Sequence, residues 1–386
     1  MDIILHLTHS CQLRCAYCYS GDRRKGHMPW EVARLALDLF FIKNSTGHDM
    51  APQICFFGGE PLLEYELIKK CIDYAESQKS ETCRCSSFAL NTNGLGLDKN
   101  IANYLQSKHV NTILSFDGVR EAQDASRLYS DGSSSFGETE KALQVISEHM
   151  QNPIVCAVVT PKNVEFLPES VDFFLDHGVQ RLFLNPNFFA VWDEQHLDLL
   201  VKGYQHAAAR FEQSYRQGIP LNINLFTNKI VTHLRRGLNP CEYGDLGEIQ
   251  QLAIAPSGRI YYCQYMVRDD ENDIGLLGNV FDGLDSELTS IMMEHLARRD
   301  PECQECKIKQ RCRKWYLYLG NALAENGNDP YGFVCFHEQM VVQLADKIAT
   351  RLFEERNETF IQTFYSEMRS AGNLTEFNQW DRIFLM

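Results

Sequence analysis

Positive charge is scarce in this 386-residue chain: 37 Lys and Arg stand against 51 Asp and Glu, a formal net charge of -14 at pH 7. Nucleic-acid affinity comes mainly from Lys and Arg on phosphates, so DNA or RNA is not the expected partner. Long apolar runs are missing too. No stretch approaches the roughly 18 to 20 residues that span a bilayer, the nearest being broken by Asp38 or Lys43, so no membrane partner is expected. The opening Met1-Asp2-Ile3-Ile4 lacks the charged segment and small-residue cleavage site of a signal peptide, which points to the cytoplasm. Internal repeats and low-complexity tracts are absent. With 44% hydrophobic and 23% charged residues the chain is not wholly disordered, and its length suits two or three domains. What is abundant is cysteine, 14 in all. In a reducing compartment clustered thiols hold metal or do redox chemistry more often than they form disulfides.

Short β-rich apolar runs alternate with amphipathic stretches through the first 190 or so residues. Strands are predicted at Ile3 to Thr8, Ile54 to Phe57, Ser87 to Leu90, Thr112 to Phe116, Ile154 to Val159 and Arg181 to Leu184. Helices are predicted at Pro29 to Lys43, Tyr65 to Ser77, Lys99 to Ser107, Thr139 to Met150 and Pro168 to His177. This alternation implies a parallel sheet with right-handed crossovers, either doubly wound or an incomplete (β/α) barrel. In both, chemistry sits at the carboxyl ends of the strands. A helix from Glu194 to Gln217, a stop at Gly218-Ile219-Pro220 and a strand from Leu221 to Phe226 come next. Beyond about residue 235 a hairpin (Leu252 to Ala255, Arg259 to Cys263), cysteine-rich loops and a helical tail from residue 337 are expected.

Cys11, Cys15 and Cys18 lie within eight residues, directly after the first strand. Three thiolates on one loop can wrap one face of a cubane iron-sulfur cluster and leave one iron without a protein ligand. The same spacing also suits one face of a helix, or zinc if His6, His9 or His27 supplies a fourth ligand. Cys11-Gln12-Leu13-Arg14-Cys15-Ala16-Tyr17-Cys18 resembles the CxxxCx(aromatic)C loop of the radical S-adenosylmethionine (SAM) enzymes. Phe57-Gly58-Gly59-Glu60-Pro61-Leu62 resembles their GGE motif, and Asn91-Thr92-Asn93-Gly94 their TNG turn. Ser115-Phe116-Asp117-Gly118, then Asp124, Arg127 and Ser135-Phe136, resembles a stretch that meets the SAM ribose or carboxylate. The resemblance implies a partial (β/α)6 TIM-like barrel over residues 1–235. It also implies a 4Fe-4S cluster on Cys11, Cys15 and Cys18, and SAM held by Tyr17, Gly58, Gly59, Glu60, Asn93, Ser115 and Arg127. Glu60 would accept from the SAM ammonium, and the two glycines would let backbone approach the ligand.

Cys303, Cys306, Cys312 and Cys335 form a four-thiolate set that suits zinc or a second cluster. Beside the first resemblance, this set is similar to the SPASM extension of radical SAM enzymes, which implies a small cysteine-rich SPASM/twitch-like domain over residues 236–345 and a helical segment over 346–386. Cys241, Cys263 and Gly278-Asn279-Val280 fit that extension's opening half. Where family members carry a further cysteine, this chain has Tyr316, leaving only Cys241 and Cys263 for another auxiliary cluster, unless Glu242 or Asp245 assists. Cys55 and Cys156 read as core residues, Cys71 as facing inward from a helix, and Cys83 and Cys85 as a pair with no partner set.

The implied activity is reductive cleavage of SAM to a 5'-deoxyadenosyl radical that abstracts hydrogen from a residue of a ribosomally made peptide or protein, giving a crosslink or another oxidative or epimerising modification. A formylglycine-forming sulfatase-type maturase, a small-molecule oxidoreductase, or a zinc-binding interaction protein are the competing expectations. The partners expected from the resemblance are a precursor peptide or protein, a separate leader-binding protein, and a flavodoxin, ferredoxin or reductase as electron donor. No residue is assigned as catalytic acid or base.

Overall fold

The computed structural model describes residues 1–20, 26–44, 52–78, 87–234, 251–297, 301–312 and 330–369. Six parallel strands form its centre: β1 (Asp2–His6), β2 (Gln53–Phe57), β3 (Ser87–Thr92), β4 (Val110–Ser115), β5 (Ile154–Val159) and β6 (Arg181–Pro186). They lie side by side in chain order. Their residues are almost all buried, as expected where helices cover a parallel sheet on the crossover side. Helices α1 (Trp30–Lys43), α2 (Tyr65–Ser77), α3 (Lys99–Ser107), α4 (Arg120–Asp124), α5 (Phe136–His149) and α6 (Leu167–Asp176) make the crossovers. Pro29 is the residue before α1 rather than inside it, and α5 begins three residues earlier than its apolar pattern suggests.

The sequence misleads at 221–226. Only Asn222–Ile223 pairs, as β7 beside β6, and α8 (Asn224–Leu234) starts at once. Asn224 causes the switch. Its Oδ1 accepts from Leu184 N at 2.9 Å and its Nδ2 donates to Asn185 Oδ1 at 3.0 Å, pinning the start of α8 to β6. Leu225, Phe226 and Ile230 are then core residues of a helix, not a strand. The long helix α7 (Glu194–Arg216) precedes this turn.

At the other edge, β8 (Gln251–Ile254) pairs in parallel with β1, so the hairpin continues the barrel sheet. It is followed by the antiparallel β9 (Arg259–Tyr261), β10 (Leu276–Asn279) and β11 (Gly283–Leu284), giving one sheet of eleven strands. The architecture is a partial (β/α)6 barrel extended by an antiparallel flap, with helices Pro330–Glu354 and Glu358–Arg369 packed outside α7 and α8. The 370–386 part of the expected helical tail lies outside the described residues. Among the described residues no helix is long and apolar enough to cross a membrane.

Candidate active site

The cysteine loop leaves β1 and is sewn down on both sides. On one side Gly59 N donates to Thr8 O at 2.7 Å and Glu60 N to Ser10 O at 2.8 Å. On the other, Arg14 N donates to Leu128 O at 2.7 Å and Ala16 N to Ser126 O at 2.9 Å. Gly58 and Gly59 are required by this seam. A Cβ on Gly59 would lie 2.3 Å from Ser10 O, and one on Gly58, which has φ +131°, 2.5 Å from Thr8 O. The glycines expected to admit a ligand thus admit the backbone that carries the cysteines.

Cys11, Cys15 and Cys18 all line one cleft, with about 1470 Å³ of empty space counting its open mouth. The cleft also touches Tyr17, Tyr19, Gly58, Gly59 and Glu60, then Asn93, Ser115 and Arg127, and on the far side Cys156, Asn185 and Phe188. Every SAM-contact residue expected from sequence is therefore on its wall. Leu13 N and Asn93 Nδ2 point at Cys11 Sγ, at 3.4 and 3.7 Å. Burial pushes the Cys15 thiol up to about 11, with Arg127 opposing that rise. Iron held by Cys15 would take the place of that proton. Three thiols from one loop and an open side toward the cleft fit a cluster with one iron left free.

Glu60 is buried and fixed. Its Oε1 accepts from Leu62 N at 2.9 Å and Thr92 Oγ1 at 2.7 Å, and its Oε2 accepts from Asn93 N at 2.7 Å. The TNG turn thus exists, at least in part, to aim the GGE carboxylate. Oε2 retains a lone pair for one more donor, which suits an ammonium. Burial lifts Glu60 to about 7, against the pull of these hydrogen bonds.

Asp117 is the second buried carboxylate. It accepts from Tyr17 OH at 2.7 Å, Arg127 Nε at 2.9 Å and Val158 N at 3.0 Å. Burial, with the adjacent Asp117, raises the Tyr17 hydroxyl well above its ordinary value; Asp117 in turn keeps the buried Arg127 guanidinium charged. Asp117 therefore orients Tyr17 and Arg127 rather than facing a ligand. Ser135 supports the same segment from behind: its Oγ donates to Arg127 O at 2.5 Å and accepts from Gln123 Nε2 at 2.9 Å. Asp124 accepts from Ser134 Oγ at 2.7 Å and is not on the cleft wall.

The histidines weighed as zinc ligands point elsewhere. His27 Nδ1 pairs with Glu64, His9 lies 3.8 Å from Asp270, and His6 is buried and pushed down to about 3 by that burial, with none on the cleft wall. Among the described residues, no three His, Cys, Asp or Glu side chains converge closely enough for a single metal ion.

The C-terminal cysteines come from two segments, 301–312 and the helix Pro330–Glu354. Cys306 N donates to Cys303 O at 3.3 Å in a local turn, and Cys312 lies within electrostatic reach of Cys335 and Cys303. Cys263 is buried beneath Tyr19, its thiol pushed up to about 12 by burial. Its expected partner Cys241, with Glu242, Asp245 and Tyr316, lies outside the described residues, as do Cys83 and Cys85. Cys55 and Cys71 are core residues. Cys156 is buried but also lines the cleft, where it accepts from Asn185 Nδ2 at 3.3 Å, a placement its apolar strand context hides.

The sequence did not single out Tyr19, on the cysteine loop, or Gln264 and Tyr265, after the hairpin, all of which line the cleft. Their signal was slight: each follows a cysteine closely. Nor did it single out Lys229, which makes a buried ion pair with Glu338 at 2.6 Å.

A 4Fe-4S single cluster domain family matches residues 3–123. An uncharacterized protein of Methanocaldococcus jannaschii is 31% identical over 180 residues, 47% of this chain and 60% of that protein. The radical SAM cyclopropyl synthase TigE of Paramaledivibacter caminithermalis is 24% identical over 394 residues, 93% of this chain and 75% of that protein. A cysteine-type anaerobic sulfatase-maturating enzyme of Clostridium novyi is 22% identical, covering 81% of this chain and 86% of its own. Among solved structures, native anSMEcpe with bound AdoMet superposes with TM-score 0.71 at 18% identity, over 90% of this chain and 99% of that one; its complex with the Kp18Cys peptide gives 0.70. The shared fold, the matches over most of the chain and the three strand-end motifs around one cleft make this protein similar to the radical SAM enzymes, and its C-terminal region similar to their SPASM-type extension.

Proposed function

We propose that this enzyme is a peptide maturase: it abstracts hydrogen from one residue of a ribosomally made peptide or protein and leaves a crosslink or another oxidised or epimerised product. The observation that carries the reading is the one cleft that Cys11, Cys15, Cys18, Glu60, Asn93 and Arg127 line together with Cys156, Asn185 and Phe188. The cluster and SAM supply the chemistry, a reductive cleavage to methionine and a 5'-deoxyadenosyl radical. The chain's own residues do the rest. Glu60 Oε2 receives the ammonium, Tyr17 and Arg127 are locked by Asp117, and the aromatic mouth excludes water. An auxiliary cluster on Cys303, Cys306, Cys312 and Cys335 belongs to the same proposal, as does an external one-electron donor. A peptide or protein is favoured over a small molecule because a relative named for maturing sulfatases covers most of the chain, and a solved structure of the same fold is titled with a bound peptide.

After anaerobic reconstitution, wild type should convert SAM to 5'-deoxyadenosine and Cys15→Ala should not. Retained cleavage in the variant would sink the assignment. Formylglycine formation is the second reading, favoured by the sulfatase-maturating relatives. Incubation with a sulfatase-derived peptide carrying Cys separates the two, since a mass change of that peptide would support formylglycine chemistry.

A further inference from the structure

The chain leaves β6 through Asn187-Phe188-Phe189-Ala190-Val191-Trp192, a loop with three aromatic rings and no charge. Asn187 and both phenylalanines line the cleft. At the start of the loop Asn187 N donates to Val159 O at 2.8 Å, and Asn187 Oδ1 accepts from Phe189 N at 3.0 Å. Its larger rings lean on the first turns of the helix Pro330–Glu354. Trp192 stacks on Phe333 with centroids 4.8 Å apart and planes 6° from parallel, while its Nε1 donates to Asn187 O at 2.9 Å. Phe188, 7% exposed, packs on Phe333 at 5.5 Å and meets His337 edge-on at 5.3 Å. It forms one apolar cluster with Val334, and Cys303 packs against that cluster. Cys335 follows Val334 directly. Phe188 therefore lines the cleft and also packs on both segments that carry the C-terminal cysteines.

The first turn of a helix has N–H groups without intrahelical partners, and helix ends open more readily than their middles. The surface that backs Phe188 is such a turn, beside a second short segment. A cluster on Cys303, Cys306, Cys312 and Cys335 would bond the two segments together and remove their freedom to part. We infer that Phe188 is a positioning residue that couples the C-terminal cysteine set to the cleft: filling the set fixes Phe188 and the loop 187–192, and with them the wall against which substrate lies. The inference rests on the auxiliary-cluster part of the proposed function and deepens it, giving those four cysteines an effect at the cleft that needs no electron to pass. Phe189, 37% exposed on the same wall, is held by the same loop. Coupling of this kind is reciprocal, so the ring should also help the cysteine set to keep its iron.

The test uses the reconstituted full chain, with hydrogen exchange followed by mass spectrometry and iron content measured on the same samples. Cys303→Ser should lose one cluster's iron and exchange about tenfold faster in residues 187–192, within the usual range for two coupled sites. Exchange in the cysteine loop 11–18 should not change. In a Phe188→Ala background the same Cys303→Ser change should add little at 187–192, because two substitutions that act through one contact are not additive. Phe188→Leu, which keeps an apolar contact, should restore most of the response. Iron lost with exchange at 187–192 unchanged overturns the inference alone, as does an equal increment with and without the Phe188 ring. Unchanged iron in Cys303→Ser defeats the auxiliary-cluster reading and the inference with it. Should Cys303→Ser fail to fold, the reciprocal arm decides. In Cys15→Ala protein, where iron reports the C-terminal set, adding Phe188→Ala should speed iron release to a chelator by about tenfold, and an unchanged release rate overturns the coupling.

Discussion

The two cysteine sets are held by different means. Cys11, Cys15 and Cys18 sit on a loop fixed by backbone hydrogen bonds to the GGE turn and to residues 126–128. Cys303 sits in a short helix (Pro301–Gln304), and Cys306 and Cys312 in the turns after it, a segment whose attachment to the barrel runs through charged side chains. Arg311 pairs with both Asp346 oxygens, at 2.9 and 2.8 Å, and donates to Lys229 O; Lys229 Nζ donates to Arg311 O and Glu338 Oε2. Backbone seams tolerate almost any side chain except where two chains touch, and there only glycine fits. Ion-pair seams are the reverse, indifferent to backbone detail and dependent on two particular side chains. The first should therefore break at a glycine and the second at a lysine.

The largest effect is expected from Gly59→Ala. The added Cβ meets two backbone carbonyls, Ser10 O at 2.3 Å and His9 O at 2.7 Å, and neither can rotate away as a side chain would. A shift of about 1 Å in a reacting group costs on the order of a hundredfold in rate. SAM cleavage should fall by at least that factor, with iron still bound by the C-terminal set, as measured by 5'-deoxyadenosine yield beside iron content. Unchanged cleavage would show that the seam does not position the cysteines.

Lys229→Met attacks the other region. It takes the lysine cation from Glu338, which is 1% exposed and also faces His337 Nδ1 at 3.6 Å; burial favours that carboxyl's neutral form, yet Lys229, with His337, holds it well below the usual carboxylate range. Breaking a buried pair by removing one partner costs roughly 3–5 kcal/mol, whereas replacing both by apolar groups is often neutral. Iron should drop by one cluster and the melting temperature should fall. Lys229→Met with Glu338→Leu should recover much of the stability. Equal instability of single and double variants would mean that the pair's role is not electrostatic.

How much of this was legible in the sequence follows the same division. The barrel strands and the motifs at their ends could be read because parallel buried strands are nearly continuous apolar runs and each motif is local in the chain. The β7 to α8 switch could not, because it depends on Asn224 reaching β6, some forty residues earlier in the chain. Lys229 with Glu338, and Phe188 with Cys303, are equally invisible, since each pair lies more than a hundred residues apart and neither contact is announced by its own stretch of chain. The GGE glycines read as places where backbone comes close, and both also line the cleft. Their pattern announces a close backbone approach, but only the fold shows that what approaches is the cysteine loop.

The smallest expected effect probes Glu60, the point where the backbone seam becomes chemistry. Its carboxyl titrates near 7 in the folded chain, against an ordinary value of 4.5, because burial disfavours the charge. A raised carboxyl pKa means the folded state holds the proton more tightly than the unfolded one. Stability from this group is thus full below about 4.5 and lost as pH rises through about 7. SAM binding should run the other way, because only the ionised carboxylate attracts the ammonium. The ionised fraction grows by about tenfold between pH 6 and 8 for a group titrating near 7, so SAM affinity should tighten by about that factor across the window. Glu60→Gln keeps an acceptor at the same place but cannot ionise, and its affinity should be flat with pH. A wild-type profile equally flat, measured by equilibrium dialysis on reconstituted protein, would remove Glu60 from the ammonium site and leave it as a brace for the TNG turn, through Thr92 and Asn93.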